Sequence, residues 1–67
     1  MKTISDQIKD LEASREAKKA RMAEVVQKSL DESRSMATDE AEEFDTLESE
    51  IKRIDEDLVR LRKLERM

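Results

Sequence analysis

Acidic side chains are the most numerous groups in this chain that could do chemistry: 18 of its 67 residues are Asp or Glu, with close pairs at Glu42 and Glu43 and at Asp55 and Asp57. Two carboxylates can act as acid and base when a cleft pushes their pKa values apart, and alternating oxygens can hold calcium around a glycine turn. The sequence has no glycine and nothing that forms such a cleft. These carboxylates therefore read as solvated helix faces. Six serines, Ser5, Ser14, Ser29, Ser33, Ser35 and Ser49, lack a histidine to activate them, and none sits in a Gly-x-Ser-x-Gly elbow. A phosphate-cradling loop fails for want of glycine. With His and Cys both absent, the commonest zinc ligands, thiolate chemistry and disulfides are gone too. The expectation is a protein that is not an enzyme, with no catalytic residue, no metal and no cofactor.

One cluster of opposite sign, Arg15, Lys18, Lys19 and Arg21, could meet nucleic acid. Single-strand binders stack bases on aromatics and duplex binders usually carry net positive charge, whereas this chain has one phenylalanine and a formal charge of -4. The competing account has Lys19 and Arg21 neutralised by Glu48 and Glu50, while the stems of Arg15 and Lys18 cover apolar neighbours. These six side chains are expected to set the register of a helix pair, and nucleic acid is not an expected partner.

Such pairing needs helices, and the sequence supplies them. Gly and Pro are both zero, and charged residues make up 48% of the chain against 36% apolar. A charge fraction of this size would suit disorder, but Phe44, Leu47, Ile51, Ile54, Leu58 and Leu61 keep a three-four rhythm. That spacing holds an apolar stripe on one side of a helix, where only another helix can bury it. A second stripe, Ile4, Ile8, Leu11, Met22, Val25, Val26 and Leu30, lies earlier and is interrupted by Arg15 and Lys18. The spacing predicts a helix over about 4–31 starting at Thr3 or Ser5, a turn over about 32–38, and a helix over about 39–66 capped by Thr38. Acidic residues open the second helix and Arg60, Arg62, Lys63 and Arg66 close it, in the sense its dipole favours.

Long helices joined by a short turn become antiparallel neighbours. Folding there sets Val26 near Phe44, Met22 near Leu47, Leu11 near Leu58 and Ile8 near Leu61. The expected fold is all-α: an antiparallel two-helix coiled-coil hairpin in a single domain. A hairpin leaves each seam residue half covered, so self-association into a helical bundle follows, a dimeric four-helix bundle being the simplest closed form. No stretch reaches the roughly 18 apolar residues of a membrane span, and the first residues lack the apolar run of a signal peptide. A cytoplasmic location without membrane contact is the expectation.

The run from Arg34 to Ile51, continued by Ile54, Leu58 and Arg60, resembles the N-terminal scaffolding segment, or delta domain, of tailed-phage major capsid proteins of the Hong Kong 97 type. Arg34 matches that pattern's arginine, Met36 its leucine, Asp39 and Glu40 its acidic pair, and Phe44, Asp45, Leu47, Glu50 and Ile51 its core. The departure is at the cap, where Ala37 stands in place of threonine and Thr38 follows one position later. The match covers about half of the chain. It implies a segment fused ahead of a capsid shell domain, directing prohead assembly in the host cytoplasm, lying inside the immature prohead, and then removed by a prohead protease. Two readings from the residues alone stay open beside it: a small dimeric four-helix-bundle regulator that binds RNA, and a coiled-coil adaptor for another protein.

Overall fold

A computed structural model describes residues 1–67 as two helices, α1 over Ile4–Asp31 and α2 over Thr38–Arg66, packed against each other as a hairpin. The result is a rod of about 50 × 18 × 14 Å with no strand. It is an all-α helical hairpin, with its turn inside the segment that breaks the heptads.

Each helix end has its own chemical solution. Thr3 caps α1: its Oγ1 accepts from the Asp6 amide at 3.0 Å, and Asp6 Oδ2 accepts in return from the Thr3 amide at 3.3 Å. This reciprocal box satisfies two amides that a helix start would leave bare. At the other end of α1, the Arg34 amide donates to the Ser29 carbonyl at 3.0 Å and the Ser33 amide to the Leu30 carbonyl at 3.1 Å. Those two bonds form a Schellman motif, which requires a left-handed residue between them. Ser33 fills that position with φ of 50°, a conformation that glycine would adopt at lower cost.

Helix α2 begins one residue earlier than Thr38 as a cap would require. Thr38 is its first helical residue, and the cap position falls to Ala37, which has no side-chain acceptor. Only the other half of a capping box remains, Glu40 Oε1 accepting from the Ala37 amide at 2.8 Å. Asp39 and Glu40 in the first turn and Lys63 and Arg66 in the last complement the helix dipole.

The core is thin. Ile8, Ile54 and Leu58 form its one cluster, with Leu11 and Leu61 packed against it, and no side chain in the chain is completely enclosed. Val25, 4% exposed, and Ser29, 5% exposed, are buried nearer the turn. The seam residues Met22, Phe44, Leu47 and Ile51 are half-buried, as is Val26 beside the seam.

Leu30 corrects the expected stripe. It is 64% exposed, while its neighbour Ser29 occupies the inward slot. Stepping by four from Met22 through Val26 to Leu30 drifts about 40° per step around the helix. The three-four alternation through Met22, Val25 and Ser29 cancels that drift, and the seam follows it. Ser29 is tolerated inside because its hydroxyl donates to the Val26 carbonyl at 2.8 Å. Ile4, at the open end, is 37% exposed and lies at the margin of the interface. Neither helix is long and apolar enough to cross a membrane.

Candidate helix-helix interface and turn clamp

The seam positions of α1 read Ile4, Ile8, Leu11, Arg15, Lys18, Met22, Val25 and Ser29, so its middle is basic. Both basic side chains are only partly exposed and reach carboxylates on α2. Arg15 Nε donates to Asp55 Oδ1 at 2.6 Å, with a longer bond from Nη2 to Oδ2 at 3.5 Å. Lys18 Nζ lies 3.7 Å from Glu50 Oε1. The Asp55 hydrogen bond is the main reason the Arg15 pKa stands above its ordinary value.

Flanking pairs extend this ladder in both directions. Arg62 donates to Glu12 at 3.0 Å toward the open end. Toward the turn, Arg21 grips Glu43 with two bonds, Nε to Oε2 at 2.7 Å and Nη2 to Oε1 at 3.0 Å, and holds Glu24 at 3.2 Å. The Arg21 hydrogen bonds push the Glu43 carboxyl below its ordinary range. Four cross-helix pairs thus fix the relative height of the helices.

Two of the expected register charges have different roles. Lys19 and Glu48 are both exposed, and neither has an ionic partner within the chain. Arg21 takes Glu43: Glu48 lies on the opposite flank, and Glu50, on the same flank, is paired with Lys18. Asp55, Glu43 and Glu12 were missed for one reason: sequence gives the height of a residue on its helix, but not which flank of the seam a long side chain will cross.

The most enclosed ionic group lies at the turn. Arg34 makes a fork with Glu40, Nη1 to Oε1 at 2.7 Å and Nη2 to Oε2 at 3.1 Å, and its Nε donates to Glu32 at 2.9 Å. Its Nη1 also donates to the Ser35 carbonyl at 3.0 Å. One planar guanidinium therefore ties the residue that caps α1, the connecting segment and the first turn of α2 together, a geometry lysine cannot reproduce. The Glu40 side chain is 12% exposed. Arg34, followed by the Ala37 amide, holds the Glu40 carboxyl down to about 2. A capping-box pattern places an acid at this position; the arginine three residues before the cap was visible only through the family resemblance.

No group of three or more metal-ligating side chains converges. An apolar-floored depression formed by Glu48, Ile51, Lys52, Asp55, Glu56 and Val59 belongs wholly to α2, and a more polar one between the helices is lined by Glu12, Arg15, Glu16, Asp55, Leu58 and Arg62. Every buried side-chain polar atom has a hydrogen-bond partner. Fold and site together define a charged, thin-seamed helical hairpin. Compared with known protein families, with curated proteins and with solved structures, the chain matches none.

Proposed function

We propose that this chain is a non-enzymatic assembly segment, the scaffolding segment of a tailed-phage major capsid protein of the Hong Kong 97 type. In this reading copies of the hairpin meet through helix contacts while the prohead forms in the host cytoplasm, and a prohead protease then removes them. The observation that carries it is where the family-like residues fall. Arg34 and Glu40 form the turn clamp, and Phe44, Leu47 and Ile51 line the seam of α2. Most of the residues behind the resemblance thus shape the hairpin, while Asp39 and Asp45 among them are exposed.

The thin core gives further support. A scaffold must associate, act and leave, and a seam with no completely enclosed side chain favours weak contacts repeated over many copies. The RNA-regulator reading draws no comparable support, since Arg15 and Arg21 are engaged by Asp55 and Glu43.

The test has two arms. Sedimentation of the isolated hairpin over a concentration series should show self-association in the micromolar range or weaker. In a capsid protein carrying this segment, its deletion should leave a folded shell domain that no longer closes into proheads of uniform size. Normal proheads from the deleted protein, or tight and salt-sensitive binding of RNA by the hairpin, would overturn the reading.

A further inference from the structure

The cross-helix ion pairs show that the hairpin has two unlike faces. At about 100° per residue, Arg15 with Asp55 and Glu12 with Arg62 cross the seam on one face, and Lys18 with Glu50 and Arg21 with Glu43 cross on the other. The second face is closed near the turn by the Arg21 fork on Glu43, and the adjoining Val25 is 4% exposed. The first face is open there. Val26 and Phe44 are half-buried on it, Leu30 is 64% exposed, and Lys19 and Glu48 stand on it without ionic partners.

We propose that this open face, with Val26, Leu30 and Phe44 as its apolar part and Lys19 and Glu48 as its charges, docks on the same face of a second copy of the chain. The proposal rests on the self-association in the functional reading above and names the surface that performs it.

Symmetry selects the occupant. A two-fold axis along the rod lays α1 of one copy over α2 of the other and leaves every height unchanged. Each α1 residue then meets in the second copy the stretch of α2 it already neighbours at home. Lys19 falls level with Glu48 of the second copy, and Val26 and Leu30 fall level with its Phe44 and the small Ala41. Both contacts occur twice, so two unpaired charges of each sign find partners at once. All four helices become antiparallel to their neighbours, the arrangement four-helix bundles use. A face of about 50 by 18 Å has room for the roughly 800 Å² per partner of a standard interface.

The test uses charge reversal and mixing. Lys19→Glu and Glu48→Lys are at exposed sites, and circular dichroism should show each variant as helical as the original. Either variant alone places like charges together twice in its own dimer, and its association, followed by sedimentation, should weaken about tenfold or more. An equimolar mixture of the two recreates both opposite-charge contacts between unlike copies and should associate close to the original strength. Repulsion within one hairpin cannot produce that recovery, because mixing leaves each hairpin unchanged. Leu30→Ser should weaken association as well, since this leucine is exposed in the single hairpin. If the original chain associates but the mixture is no tighter than either variant, or Leu30→Ser associates like the original, the copies meet elsewhere and only this inference falls. If the original chain stays monomeric up to millimolar concentration, the functional reading falls with it.

Discussion

Toward its open end the hairpin is held by hydrocarbon, with Ile8, Ile54 and Leu58 buried together under Leu11 and Leu61. Toward the turn Val25 is the one buried apolar side chain, α1 offers the seam a serine, and ion pairs are added as Arg21 grips Glu43 and Arg34 grips Glu40. The difference shows two jobs divided along one rod. Burial of Ile and Leu side chains is worth about 1.5 to 3 kcal/mol each when complete, so the open end supplies most of the stability. Exposed ion pairs contribute far less but are directional. The turn half therefore fixes where the chain folds back and at what height the helices meet.

That division can be tested from both sides. The largest effect belongs to the apolar end: Leu58→Ala should lower stability by about 2 to 4 kcal/mol, as large-to-small changes at buried sites do, read from thermal or urea melts. Lys18→Ala, in the charged middle, should be nearly silent in the same melts. Equal losses would mean that the seam is not held as described.

Acid should reach the turn half selectively. Glu40 is held at about 2 in the folded chain against an ordinary 4.5, first by Arg34 and then by the Ala37 amide. Its carboxylate thus favours the folded state in full above pH 4.5, and the contribution is lost as pH falls toward 2, where the folded form also takes up the proton. Glu43, lowered by Arg21, acts in the same direction. Melting temperature should fall through this window, and Glu40→Gln should start lower at neutral pH and show a shallower fall. A Glu40→Gln profile parallel to the original would separate the clamp from the stability of the turn.

The smallest effect is expected at Ser33. Its φ of 50° costs a residue with a Cβ something that glycine does not incur, so Ser33→Gly should stabilise the hairpin by about 0.5 to 1 kcal/mol. A loss instead would show that the freedom glycine adds to the unfolded chain outweighs the relief of the turn.

The helices, the place of the turn and the whole α2 seam were legible in the sequence because apolar spacing and the absence of Gly and Pro all point the same way. The α1 seam was harder to read. Three of its positions carry Arg15, Lys18 and Ser29, so an apolar search jumps to Val26 and Leu30, which lie nearby but drift off the line. The start of α2 was hidden for a similar reason: Thr38 is a good capping residue, yet Ala37 takes the cap because Arg34 and Glu40 fix the geometry from either side. Those long side chains act across the turn, beyond the reach of any local pattern. The partners of Arg15 and Arg21 depend on flank, which periodicity does not encode.

The placement of the apolar cluster bears on how the hairpin comes apart. Helix ends loosen first, and the free ends of a hairpin, farthest along the chain from the connecting turn, have the most to gain in disorder when they separate. Ile8 and Leu58 sit close to those ends, while the turn end is already tethered by the chain itself and needs only an arginine to keep its shape. The strongest fastening thus lies where fraying would begin. Once it lets go, Val25, a few half-buried residues and the ion pairs are all that resist further opening, so the rod should part along its length and bare the apolar sides of both arms.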